Sequence, residues 1–134
     1  TDSGGPVPGS GGKGRIEGGS PTSPAERAAL ASLYCALMVS EQLDAVGSRH
    51  DIIVDGPFAR NAAFLAVLAA LREGQSVMAS DLRDGTTAGA ACLALMPEGK
   101  LPHVELKLLK VRAAAIDGLA AYRGTWRSRA GLKG

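Results

Sequence analysis

DIIVDGPFARN, from Asp51 to Asn61, is the stretch whose reading decides the fold. Ile52, Ile53 and Val54 are consecutive β-branched residues, whose stiff χ1 favours a pleated strand over a helix. Gly56 and Pro57 stop that strand at once, because glycine permits a turn and proline has no N–H to give a ladder. Asn61 then stands where the apolar run AAFLAVLAALR needs an N-cap. A strand that feeds a helix through a glycine turn gathers backbone N–H groups and a helix N-terminus at the strand's carboxyl end. Open α/β sheets bind nucleotides and phosphates at that place. Taken alone the junction reads first as a turn, since most strand–glycine–helix connections carry no ligand.

Upstream, Ser23, Pro24 and Glu26 form a capping box, with serine at the N-cap, proline at N1 and glutamate at N3. Leu30, Leu33, Tyr34 and Leu37 follow at spacings of three and four, one apolar stripe that continues through Leu43 and Val46. Gly47 ends the helix as a C′ residue. The stripe places Tyr34 in the core. Ahead of this helix, Thr1 to Gly19 holds eight glycines and two prolines and reads as a linker without a core of its own. Lys13 and Arg15 lie among those glycines, but no Gly-Lys-Ser/Thr triplet opens a helix, so a solvated loop is expected. The chain opens on Thr1 rather than Met, and no signal peptide is read at its start. Thr1 is expected either to follow removal of a leader or to begin a fragment, and the glycine-rich opening favours the fragment.

Downstream, a second helix is expected from Asn61 to Arg72, stopping at Gly74, and a short strand from Ser76 to Ala79. Ser80 to Gly85 is polar and turn-rich, with Asp81 and Asp84 facing solvent and no regular spacing of oxygen ligands for a metal. TTAGAACLALM, Thr86 to Met96, reads as a third helix ended by Pro97. Gly89, Ala90 and Ala91 give it a smooth face, for which close packing is the default. Leu101 to Val111 alternates apolar and charged residues (Val104, Leu106 and Leu108 against Glu105 and Lys107) and reads as an extended edge element. Ala113 to Ala130 reads as an amphipathic helix. Tyr122 and Trp126 share a face as docking anchors, and Arg123, Arg127 and Arg129 complement the helix dipole near its end.

A chain of 134 residues suffices for one domain with a real core. Its 46% hydrophobic, 21% charged and 4% aromatic residues suit an α/β protein rich in alanine and leucine. The net charge of +2 is too small and dispersed for a nucleic-acid surface. No apolar run reaches the ~18 residues of a membrane span. Cys35 and Cys92 sit in apolar helical patterns and read as buried, reduced thiols, which favours the cytoplasm. His50 and His103 have no nucleophile or metal partner nearby in sequence. No internal repeat and no catalytic base is visible.

In this order the pieces resemble the C-terminal part of an FGGY-family carbohydrate kinase. GPFARNAAF (Gly56 to Phe64) resembles the family's adenosine-side motif, commonly Gly-Gly-Gly-Ala-Lys/Arg-Ser-Pro-Leu-Trp. Gly56, Ala59, Arg60 and Phe64 line up, and Asn61 takes the small polar place. About 30 residues later, GTTAGAACLAL resembles the family's Gly-Ala-Ala helix beside the nucleotide. Upstream, GKGRIEG before a capped helix resembles the segment preceding the family's long helix. Pro57 and Phe58 replace two glycines, which makes this loop stiffer and bulkier than the family's.

The resemblance implies an α/β fold, the C-terminal portion of a ribonuclease H-like (actin-type ATPase) domain. On it, residues 1–22 are a Gly-rich linker, 23–96 the nucleotide-side core, and 97–134 an edge strand with a docking helix. The family transfers the γ-phosphate of ATP, with Mg2+, to a hydroxyl of a ketose or polyol. Its phosphate loop, most sugar contacts and catalytic base lie in the N-terminal part, the implied partner, so this chain alone is not expected to turn over. The nucleotide-contacting residues carried over are Gly56, Pro57, Phe58, Ala59, Arg60 and Gly89, with no catalytic or metal-binding residue. Self-association stays open, as does a different class, a nucleotide-binding or interaction module without chemistry. A dinucleotide-dependent oxidoreductase is disfavoured, because the turn is not GxGxxG.

Overall fold

A computed structural model describes residues 16–82, 84–96, 99 and 105–132 of the chain. Helix α1 spans Pro24–Ala45 and starts in the expected capping box. The Ser23 hydroxyl accepts the Glu26 N–H at 3.1 Å, and the Glu26 carboxylate accepts N–H groups from Ser23 and Thr22 at 3.3 and 2.6 Å. Those three bonds satisfy donors that a helix start leaves orphaned. At the other end Gly47 adopts φ +66, and the Ser48 N–H returns to the Leu43 carbonyl at 2.9 Å, which closes the helix.

Strand β1 is Ile52–Val54, the β-branched triplet. A 3-10 helix, Gly56–Arg60, follows before α2, Ala62–Leu71, begins with Asn61 as N-cap. The expected glycine turn is therefore longer than one turn. Pro57 sits in the first turn of the 3-10 helix, where its missing N–H costs nothing. Strand β2, Val77–Ser80, pairs parallel to β1 with Ile52 opposite Val77. Helix α2 is thus the crossover of a βαβ unit. Helix α3 is Gly85–Ala94, strand β3 is Leu108–Lys110 and helix α4 is Leu119–Arg129. β3 pairs antiparallel to β2, giving the order β1-β2-β3.

The core lies between one face of this sheet and the pair α1 and α2. Ile52, Val77 and Ala79 project onto Phe64, Leu65, Val67 and Leu68 of α2 and Ala36 of α1. Leu37, Leu68 and Val77 are the largest fully buried apolar side chains. On the other face Ile53, between buried Ile52 and half-buried Val54, is 52% exposed, whereas Met78 beside it is half-buried and Ser80 is buried. β1 also takes no second strand on its outer edge among the described residues.

Several expectations change. Tyr34 is 52% exposed rather than in the core, and its ring meets Trp126 edge-on with centroids 6.4 Å apart. The expected last helix begins at Leu119, not Ala113, because residues 111–114 are drawn into the sheet and onto α2. The Val111 N–H reaches the Val77 carbonyl at 2.8 Å and the Ala114 N–H reaches the Ala66 carbonyl at 3.0 Å. The edge element narrows to Leu108–Lys110, while Val104, His103 and Pro97 lie outside the described residues, as do Thr1 to Arg15. Cys35 and Cys92 are free and only partly buried. Gly89 has nothing within 4 Å of where a Cβ would stand, so the smooth face of α3 is open rather than closely packed.

Candidate functional site

The candidate site forms where β1 ends and two helices begin. Gly56 holds φ +70, the left-handed conformation that glycine adopts without a steric penalty, and this turns the chain out of the sheet. Beyond it Pro57, Phe58 and Arg60 are exposed, while Ala59 packs against the core. The Phe58 ring leans on Phe64 at a centroid distance of 4.8 Å, yet it remains 47% exposed. Arg60, two residues on, is exposed as well. Asn61 fixes the exit: its Oδ1 accepts the Phe64 N–H at 3.0 Å, capping α2.

The start of α3 abuts this junction. A Cβ added to Gly85 would stand 1.9 Å from Asp55 Oδ2, so the Asp55 carboxylate lies directly on the first residue of α3. Asp84 caps the same helix, accepting from the Thr87 N–H at 3.0 Å and the Thr87 hydroxyl at 2.5 Å. The Thr87 hydroxyl first, and then its N–H, hold the Asp84 carboxyl below the usual aspartate range. Two carboxylates therefore meet the positive end of α3. Gly89 follows Gly85 by one turn on the same face, about 6 Å along the axis, and is open. The structure thus keeps Gly56 to Arg60 in one 3-10 helix and sets Gly89 on the helix whose first residue meets Asp55, the residue before Gly56.

A second feature has no counterpart in the sequence reading. Arg72, just after α2, is 7% exposed. It donates to the Ser40 carbonyl at 3.3 Å and to Gln75 Oε1 at 2.8 Å, and it pairs with Asp44. Asp44 also takes the Arg123 guanidinium at 2.6 Å. Burial is the largest influence on Asp44 and opposes its ionisation. The hydrogen bonds and charges of Arg72 and Arg123 together outweigh it and hold this carboxyl below its ordinary value. Glu41, 9% exposed, accepts from Arg123 Nη2 at 2.8 Å and pairs with Arg127. Burial likewise weighs most on Arg123 and disfavours its charge, but Glu41 and Asp44 reverse the balance and raise its pKa. The signal for this cluster was an acidic i, i+3 pair on α1, which by itself reads as a solvated face.

Among the described residues, no group of three His, Cys, Asp or Glu side chains converges as a metal site would require. No helix among these residues is long and apolar enough to cross a membrane.

Residues 1–103 match the family model for the carbohydrate kinase FGGY C-terminal domain. A crystal structure of a carbohydrate kinase from Novosphingobium aromaticivorans is similar to this chain, with a TM-score of 0.65 and 30% sequence identity. The likeness covers 83% of this chain but 23% of that one, so the chain spans about a quarter of that kinase's length. No curated protein matches the chain.

Proposed function

The chain belongs to the carbohydrate kinase FGGY family, in its C-terminal domain, and on that premise we propose that it forms the adenosine side of the cleft in an ATP-dependent sugar kinase. In this reading its α/β unit is the C-terminal portion of a ribonuclease H-like domain. Residues 23–96 are the nucleotide-side core, and 97–134 supply the edge strand and docking helix. The remaining N-terminal part of the kinase brings the phosphate loops, Mg2+, the catalytic base and the contacts to a ketose or polyol. ATP supplies the transferred phosphoryl group. This chain binds and orients the other end of it, in the cytoplasm.

The occupied positive end of α3 carries the argument. With Asp55 against Gly85 and Asp84 capping Thr87, that helix start is closed to phosphate by like charge. What stays exposed in the two segments is the Phe58 ring, Arg60 and the bare surface over Gly89. A flat, uncharged heterocycle on a sugar suits such a surface, since ring faces stack and guanidinium planes lie over them. Gly56 to Ala59 approach the nucleotide with their backbone, Arg60 flanks it, and Gly89 lets it lie close to α3.

The test is sugar-dependent ADP release by the full-length protein carrying this domain, with Mg-ATP and a panel of ketoses and polyols. Gly89→Trp runs beside it, because open space at Gly89 lets the indole in without disturbing the core. The expected result is a KM for ATP raised by roughly tenfold or more, with the sugar KM and the melting temperature unchanged. An unchanged KM for ATP removes the nucleotide from α3. Nucleotide binding without ADP release on any sugar favours a non-catalytic nucleotide-binding module instead.

A further inference from the structure

Helix α4 lies beyond the residues matched by the family model, and it is held in an unusual way. It has no buried residue, and its N-cap, Gly118, offers no side-chain bond to the helix start. Between α4 and the pair α1 and α2 lies an apolar gap of about 500 Å3. Leu30, Leu33 and Val67 line it from one side, and Ile116, Leu119 and Tyr122 from the other. Apolar contact therefore holds the helix mainly at one point, where the Trp126 ring meets Tyr34 of α1 edge-on.

Charge supplies most of what remains. Arg123 donates to Glu41 Oε1 from Nη2 at 2.8 Å and from Nε at 3.1 Å, and to Asp44 Oδ2 at 2.6 Å. Arg127 takes the other Glu41 oxygen, and Arg129 pairs with Glu17. Glu41 is nearly buried, and the described bonds to its carboxylate all come from α4. Such pairs gain little net stability over the hydrated ions. When α4 lifts, water reaches Glu41 at once, so opening strands no buried charge. The chain before the helix is anchored by Val111 and Ala114, and the turn at Gly118 has φ +75. Residues 115–118 lie between the last anchor and the helix and form a natural pivot.

We propose that α4 is an ionic latch: it lifts from α1 as a unit about residues 115–118, exposing the apolar gap, and its docked population is set by the Glu41 and Asp44 pairs and by ionic strength. Ala63, in the first turn of α2, also lines the gap. The latch therefore adjoins the helix that Asn61 caps.

Hydrogen exchange resolved over residues 119–129 tests this, at low salt and at about 1 M sodium chloride, where the screening length falls to about 3 Å. Exchange in α4 should rise on the order of tenfold with salt and in Glu41→Gln, while α2 and β2 keep their protection. Trp126, the single tryptophan, should shift its emission to the red under the same conditions. Arg127→Gln removes one pair from the more exposed partner, and it repeats the measurement should Glu41→Gln fail to fold. Exchange in α4 that ignores both salt and Arg127→Gln overturns the latch. So does acceleration of α2 and β2 in step with α4.

Discussion

Asn61 donates from Nδ2 to Ser32 Oγ at 3.1 Å while its Oδ1 caps α2, so one side chain ties the start of α2 to the middle of α1. Ser32 is 6% exposed. Replacing Asn61 with alanine removes the cap and leaves the buried hydroxyl without this partner. Asn61→Ala should cost about 1–2 kcal/mol in urea unfolding. Asn61→Asp keeps an oxygen for the cap and one for the serine hydroxyl, and should recover most of that loss. Equal losses in both variants would assign the role to the amide nitrogen instead.

Leu68 is 0% exposed and sits at the centre of the cluster between sheet and helices. Leu68→Ala should lower stability by about 2–5 kcal/mol, through lost transfer energy and an incompletely closed cavity. Leu68→Met, which nearly conserves volume, should cost less than about 1.5 kcal/mol by the same denaturant titration.

The Asp55–Gly85 approach predicts a coupling. Gly85→Ala places a methyl group 1.9 Å from Asp55 Oδ2, so the carboxylate must swing away from the start of α3. With Asp55 present the change should cost about 1 kcal/mol. In an Asp55→Ala background it should become neutral or favourable, since alanine suits a helix better than glycine. A double-mutant cycle measures the difference, and additive effects would show that the carboxylate does not meet Gly85 in solution.

Asp44 should give the fold an acid-sensitive component. Its carboxyl is held below the ordinary aspartate value in the folded chain, so folding favours the ionised form. The stabilisation is complete above the unfolded pKa of about 4 and is lost as pH falls through the folded pKa. Asp44→Asn removes it. The stability difference between wild type and Asp44→Asn should be constant from about pH 7 down to about pH 5 and should shrink below about pH 4. A difference that stays flat to the lowest pH at which the chain folds would exclude the Arg72 and Arg123 pairs as its source.

Local signals explain what the sequence made legible. The Ile52–Val54 triplet, the Ser23–Glu26 box and the Asn61 cap each act within a few residues, and each stands where expected. What escaped depends on distant partners. Ala113 to Gly118 has helical composition, but the Ala114 N–H is bound to α2 and Gly118 takes a left-handed φ, so the helix starts only afterwards. Tyr34 lies on an apolar stripe, yet the element that reaches it is α4, through Trp126, and it stays half exposed. Nothing in the local pattern of Glu41 or Arg72 announces that their charges are buried, because the guanidinium and carboxylate partners lie far along the chain. The resemblance of GPFARNAAF to a kinase motif led to the family. The Asp55 contact with Gly85 joins segments 30 residues apart and has no local signature in either.

Glu41 and Arg123 are 82 residues apart in the chain, whereas Asn61 and Ser32 are 29 apart. Closing the longer loop costs more entropy, and the ion pairs that reward it cannot form until α1 has a fixed place. Glu41→Gln should therefore steepen nothing on the way to the native state: its folding limb should overlay that of the wild type, while unfolding in dilute denaturant speeds up. Stopped-flow chevrons separate the two, and an equal slowing of folding would put α4 in the transition state. In kinetic terms, an unchanged folding limb with faster unfolding would make the docking of α4 a contribution to the lifetime of the folded chain and not to its route there.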